Sequence, residues 1–396
     1  MTSWHLASGY RFAGVHCGVR PEGERLDLAL IVSDRPATAA GVFTQNCVVA
    51  APVRVCQERL PSAVVRGVVV CSGNANACTG ARGLADAQRM AEAAAVEIGC
   101  RSDQVLVCST GVIGRLLPME RIETGIPLAA QQLGADARHL NDAAHAILTT
   151  DTRVKVSTRQ LTLAGQTIRV TGFAKGAAMI GPNLATMLAF ILSDASVTVT
   201  DLAALTRAAV DATFNAISVE GHTSTNDTVL VLANGIHADL EGDDLTEFSR
   251  AVLAVCGDLA RAIAADAEGA EHLVTIHVEG TRADADARRI AKTIADSPLV
   301  KTAIFGADPN WGRIVSAAGY AGVAFEEKDL SLWLGEFLLY QHGTPRPFDA
   351  AAASAYLKNN RDITMRLRFN LGSGECVFHT CDLTYEYVKL NAEYTT

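Results

Sequence analysis

Short runs of β-branched residues alternate with alanine-rich stretches of helical period along almost the whole 396-residue chain. Residues 67–70, Gly-Val-Val-Val, read as a buried strand, since a brief apolar run between turn formers suits a sheet interior. Turn-rich Ser72-Gly73-Asn74-Ala75-Asn76 follows. Leu84, Ala87, Ala91, Ala94 and Ile98 then recur at helical steps, and Gly99 stops the pattern. A strand at 105–108 and a turn at Ser109-Thr110-Gly111 repeat the plan, and 138–148 predicts another helix. Further on, Thr200 is placed to cap a helix bearing Leu202, Leu205, Ala209 and Ala212. Residues 228–232 predict a strand, and Phe248, Val252, Cys256, Leu259 and Ile263 a longer helix. Stretches 273–279 and 362–369 alternate with period two, as half-buried strands do, and 342–347 reads as a loop. Such a chain buries its apolar faces by layering helices on sheets, so an α/β architecture is expected.

Composition narrows the function classes. Hydrophobic residues are 49% and charged residues 19%, enough apolar material for large cores and too much for a disordered chain. The formal charge of −9 leaves no basic excess to displace phosphate counterions, so nucleic acid is not an expected partner. Residues 177–192 are the most apolar stretch, but Pro182, Asn183 and Thr186 interrupt it, short of the roughly 20 residues that span a bilayer. Met1-Thr2-Ser3-Trp4-His5 lacks the basic and apolar regions of a secretory signal. Ten scattered cysteines form no CxxC pair, which reads as buried reduced thiols and a cytoplasmic address.

Common catalytic motifs are missing: no GxGxxG after a strand, no GxxxxGK[ST], no GxSxG and no HExxH. His272 and His277, five apart on an expected strand, face opposite sides and cannot chelate one metal. His16, His139 and His379 read as ordinary satisfied side chains, and the Asn226-Asp227-Thr228 sequon as coincidence. Neither a metal nor a cofactor is expected.

One segment stands out: Lys175-Gly176-Ala177-Ala178-Met179-Ile180-Gly181-Pro182-Asn183-Leu184-Ala185-Thr186-Met187-Leu188. A threonine sits inside an apolar run, after alanine and a Pro-Asn turn. On spacing alone this is a loop entering a buried strand. It also resembles the self-cleavage segment of the ornithine acetyltransferase family, the bifunctional glutamate N-acetyltransferases of arginine biosynthesis. The resemblance continues, in order, through the Ser72–Gly80, Ser109–Arg115, Thr149–Thr152, Thr223–Thr228, Ser297–Thr302, Asp308–Arg313 and Tyr387–Thr396 blocks.

The resemblance implies a layered sandwich of two packed sheets with outer helices, of the N-terminal-nucleophile kind seen in the aminopeptidase DmpA, plus a smaller α/β domain. It implies scission between Ala185 and Thr186, giving an α chain (1–185) and a β chain (186–396) whose smaller C-terminal domain spans about 280–396. Thr186 would then be nucleophile and, through its freed amine, base; an adjacent amine is a recognised way to activate a weak hydroxyl nucleophile. Thr110 and the Gly111 N–H would form the oxyanion hole. Thr149, Thr150, Lys175, Thr186, Glu268, Asn391 and Thr396 would bind substrate. The implied reaction is ping-pong transfer of acetyl from N2-acetylornithine to glutamate by an α2β2 assembly, with acetyl-CoA a further donor in bifunctional members. Asp308–Arg313 reads as structural, with Trp311 anchoring a helix start.

The chain departs from the family pattern in places. Gly181 stands where many members have histidine, and Ser218-Val219-Glu220-Gly221-His222 replaces a usual Asp-Gly-Asp. Ala267 precedes Glu268 in place of glycine, and Glu271-His272 replaces Thr-Lys. These departures keep three alternatives open: a self-cleaving paralogue acting on another amino acid, an amide hydrolase, and a non-catalytic ligand-binding relative.

Overall fold

The computed structural model describes residues 4–20, 23, 25–181, 187–237 and 239–393. Among these, eight strands form one mixed sheet: β1 (Tyr10–Val15), β2 (Leu28–Phe43), β3 (Ser62–Asn74), β4 (Val105–Val112), β5 (Lys155–Leu163), β6 (Gln166–Lys175), β7 (Leu188–Ser193) and β8 (Thr228–Ala233). Their order is β4-β3-β2-β8-β7-β6-β5, with β1 paired to β2 as well. Residues 28–32 of β2 pair with β1 and β3. The register with β3 then shifts between Val32 and Ala37 and again before Ala39, and residues 38–43 pair with β8. Irregularities of this kind bend and twist a strand, and here they fold one sheet into two facing layers. Ile31, Val68 and Val70 from one half share a buried cluster with Phe173, Phe190 and Leu230 from the other. Phe12 meets Phe173 edge to face across that interior, ring centres 6.3 Å apart.

Helices close the outer faces. Residues of α1 (Ala51–Arg59), α2 (Gly80–Ile98) and α3 (Met119–Gln131) pack on Val69, Val105 and Val107. Leu140 and Ala143 of α4 (Ala137–Ala146) reach the interior cluster. On the far side, Leu202 of α5 (Val199–Ala212) and Phe248 and Leu259 of α6 (Gly242–Ala265) cover Ile168, Ile191 and Val231. β7 and β8 pair in parallel and are buried on both faces, which is why their sequences are continuous apolar runs without alternation.

A second sheet takes its strands from the C-terminal third: β9 (Leu273–Thr281), β10 (Ser331–Leu334), β11 (Phe337–Gln341), β12 (Thr344–Pro345), β13 (Asp362–Arg368) and β14 (Gly374–Cys381), in the order β12-β11-β10-β13-β9-β14. In β13 Ile363, Met365 and Leu367 are buried while the residues between them are exposed, as the period-two pattern requires. Val274, Ile276 and Val278 pack against Ile290 and Ile294 of α7 (Asp284–Ala295), and α8 (Pro298–Phe305) and α9 (Trp311–Gly319) complete that core. α10 (Ala350–Asn359) contributes Leu357, and α11 (Tyr385–Glu393) follows β14. The expected α/β sandwich with a smaller α/β unit is therefore the fold, and its two layers are hydrogen-bonded halves of one sheet.

Local expectations need three corrections. Ser109-Thr110-Gly111 is not a turn but part of β4, because parallel pairing with β3 runs on through Ser72–Thr110 and Gly73–Gly111. Thr198, not Thr200, caps α5: its hydroxyl accepts the Asp201 N–H at 3.1 Å, and Val199 and Thr200 are already helical. The 342–347 loop contains β12, a two-residue edge strand. Trp311 does open α9, stacked on Tyr340 at 5.4 Å, with Asn310 capping the Arg313 N–H. All ten cysteines are free, and no helix among the described residues is long and apolar enough to cross a membrane.

Candidate active site

β3 and β4 run side by side to their C-terminal ends, and that close approach dictates the residue at 111. Gly111 has φ of +131°, and a Cβ there would lie 2.3 Å from the Gly73 carbonyl carbon, so only glycine fits. Thr110 beside it is buried, and its hydroxyl accepts a hydrogen bond from Lys175 Nζ at 2.9 Å. Lys175 ends β6 and is 1% exposed. It also donates to the Thr149 hydroxyl at 3.2 Å. Burial pulls the Lys175 ammonium below its ordinary range, against the opposing pull of Asp151 and Asp227.

A buried ion cluster fixes the segments that carry these groups. Lys155 Nζ lies 2.6 Å from both Asp151 Oδ1 and Asp266 Oδ2. Asp151 also accepts the Gly176 N–H at 2.6 Å and the Thr149 N–H at 3.1 Å, while Asp266 accepts the Thr152 N–H at 3.1 Å. Burial alone would raise the Asp151 carboxyl; Lys155, Lys175 and the Gly176 N–H outweigh it and hold the group below its ordinary value. Two residues after Asp266, the Glu268 N–H bonds to the Ala177 carbonyl at 2.9 Å. The cluster thus ties together the chain at 149–152, at 175–177 and at 266–268.

These groups surround a cavity of about 350 Å³. Thr110, Gly111, Thr149, Thr150, Glu268 and Asn391 all line it, together with Arg25, Met179 and the 224–226 segment. Asn391, on α11, donates from its side-chain amide to Glu268 Oε2 at 3.2 Å. Lys175 sits behind this wall and acts on the cavity through the two hydroxyls it bonds. Of the sequence-predicted residues, Ala185, Thr186 and Thr396 lie outside the described residues. The Asn226 side chain is 4% exposed and donates to the Ala75 and Ser109 carbonyls, so the sequon is a structural tie.

The ArgJ family model matches residues 11–396. The chain belongs to the ArgJ family. It is 44% identical to the arginine biosynthesis bifunctional protein ArgJ of Rhodopirellula baltica, across 100% of this chain and 97% of that relative. The corresponding protein of Geobacter sulfurreducens is 46% identical, across 98% and 99%. Among solved structures, the arginine biosynthesis bifunctional protein ArgJ of Bacillus halodurans matches with a TM-score of 0.51 and 39% identity, covering 52% of this chain and 98% of its own.

Within this ArgJ-family chain, the departures at 181 and 218–222 turn out to be one feature. A Cβ on Gly181 would lie 2.5 Å from the Gly221 carbonyl carbon. The Ile180 carbonyl accepts N–H bonds from Val219, Glu220 and Gly221, and the Ile180 N–H is held by the Glu220 carboxylate. A side chain at 181 has no room beside this loop. Gly181, Glu220, His222 and Glu271 are all absent from the cavity wall. The histidines have structural partners. His16 bonds the Arg25 carbonyl, His139 bonds Asp136, and His272 bonds Asp382 and the Leu357 carbonyl; burial takes His379, beside Thr275, down to about 4. Among the described residues no three His, Cys, Asp or Glu side chains are arranged to hold a metal ion. Lys155 and Asp266 escaped the sequence reading. Asp151 and Asp227 lay inside family blocks, but nothing local marked their buried partners.

Proposed function

We propose that this chain is a self-cleaving acetyltransferase that moves acetyl from N2-acetylornithine to glutamate through an acyl-enzyme on Thr186. The observation that carries this reading is convergence on one cavity: Thr110, Gly111, Thr149 and Thr150 come from before the 185–186 bond, and Glu268 and Asn391 from after it. The Bacillus halodurans relative supports it too, since its solved chain is matched almost whole yet spans only 52% of this one, the length of a half-chain. Scission frees an amine on Thr186 with an ordinary pKa near 8, suited to accept the hydroxyl proton. Thr186 Oγ attacks the acetyl carbonyl, and Thr110 and the Gly111 N–H stabilise the oxyanion. Lys175 has a part here: by donating to the Thr110 oxygen, it leaves the threonine's own proton free to point at that oxyanion. Collapse releases ornithine, and glutamate then takes the acetyl group.

Glu268 offers a carboxylate for the substrate's cationic amine, and Asn391 fixes its orientation. Because both halves supply the wall, the α and β chains stay associated, as α2β2, in the cytoplasm. Acetyl-CoA enters, where used, as a substrate. The departures at 181, 218–222 and 271 lie off the cavity wall, which favours the family's substrates over those of a paralogue. Mass spectrometry of purified protein incubated with acetylornithine tests the reading. Two polypeptides, with one acetyl group on the C-terminal one, are expected. A single intact chain from active protein overturns it, and free acetate without acetylglutamate once glutamate is added makes the protein a hydrolase.

A further inference from the structure

Acetyl transfer from acetylornithine to glutamate asks one cavity to accept two side chains of opposite charge. The two substrates share an amino-acid skeleton, but ornithine ends in an ammonium group and glutamate in a carboxylate. In a ping-pong reaction they fill the same space in turn. Glu268 suits the first and repels the second, because like charges brought together are costly. A second charge on the wall is needed to offset it.

Among the described residues of that wall two side chains are ionised, Glu268 and Arg25. Lys175 is buried behind the wall, its ammonium engaged by the Thr110 and Thr149 hydroxyls. Arg25 lies three residues before β2 on a pinned backbone. The His16 ring donates to the Arg25 carbonyl at 2.8 Å. Two residues on, fully buried Asp27 accepts the Cys17, Gly18 and Arg20 N–H groups at 2.7, 3.0 and 3.1 Å. Arg25 itself is exposed, and its side chain has no hydrogen bond or ion pair among the described residues. It also lines a smaller cavity of about 240 Å³ with Arg20, Leu26, His145 and Leu148. Among the described residues Arg25 alone lines both cavities, so it has room to withdraw from the first when the occupant is cationic.

We propose that Arg25 is the residue that admits the acidic substrate, an inference that rests on the transfer reading above. Its guanidinium takes the side-chain carboxylate of glutamate, and Glu268 takes the side-chain ammonium of ornithine. A planar guanidinium meets a carboxylate with two parallel N–H donors, which a point charge does not. The carboxylate common to both substrates has another partner. Lys175 donates to the Thr149 oxygen, so that hydroxyl's own proton is free to point into the cavity.

The test is steady-state transfer from acetylornithine to glutamate and to glutamine, its neutral isostere, by purified processed protein. Wild type should favour glutamate about tenfold or more in kcat/KM, the worth of a charged hydrogen bond. Arg25→Gln should raise KM for glutamate about tenfold or more and abolish that preference, with KM for acetylornithine within about twofold of wild type. Arg25→Lys should keep part of the preference. A wild type that uses both acceptors equally overturns the proposal, and that measurement needs no variant to fold. So does an Arg25→Gln variant that keeps the preference, or one in which both KM values rise together, which would put Arg25 on the shared carboxylate. A wild type that yields ornithine but acetylates neither acceptor overturns the transfer reading and this inference with it.

Discussion

Replacing Lys155 by methionine would remove the ammonium between Asp151 and Asp266 while nearly preserving the volume of its stem. The three side chains are 1%, 0% and 4% exposed, and both contacts are 2.6 Å, so the two carboxylates would be left buried without their shared counter-ion. Taking one partner from a buried ion pair costs about 3–5 kcal/mol. The lower part of that range is expected, because Asp151 keeps the Thr149 and Gly176 N–H donors and Asp266 keeps the Thr152 N–H. The pH dependence follows from the sign of each shift. In the wild type the Asp151 carboxyl is depressed, so its contribution is present above its unfolded value near 4 and is lost as pH falls through the lower folded value. Without Lys155, burial becomes the dominant influence and the carboxyl is raised, so the variant loses stability as pH rises. The gap between the two proteins should therefore widen from about pH 5 to about pH 7.5. Equilibrium urea unfolding at both pH values, with the m-values compared, measures it. A gap under about 1 kcal/mol at pH 7.5, or one that does not change with pH, would refute the reasoning.

Three further outcomes are expected. Gly111→Ala would drive a Cβ into the Gly73 backbone and displace the proposed oxyanion donor, lowering acetyl transfer about 10²- to 10³-fold; wild-type turnover would sink the assignment. Glu268→Gln should raise KM for acetylornithine by about tenfold or more, as loss of a charged hydrogen bond implies, while scission of the precursor proceeds normally; an unchanged KM would count against the amine site. Gly181→His would push against the Gly221 carbonyl carbon next to the proposed cleavage segment, slowing scission in a gel assay, and trimming the 218–222 loop should relieve the defect.

Local periodicity was enough to place strands at 228–232 and 362–369 and the helix ending at Gly99, because each needs only its own residues to show which face is apolar. Family likeness, carried by blocks in order along the chain, named the cavity residues Thr110, Gly111, Thr149, Thr150, Glu268 and Asn391. It could not say that Lys175 stands behind two threonines, since burial is a property of the packed whole.

Other features belong to tertiary structure alone. The Lys155–Asp266 contact joins residues 111 apart, and the Asp227–Met187 bond joins residues 40 apart. Neither separation has a period, and a lysine or aspartate reads as solvated until the chain closes around it. The bend in β2 is equally silent, because Ala37 and Ala39 suit a straight strand as well as one whose halves pair with different partners. Sequence determined which segments become strands and helices and to which family the chain belongs. Packing decided which charges lose their water and which oxygen of Asp227 is left without a partner among the described residues, because desolvation exists only once distant segments meet.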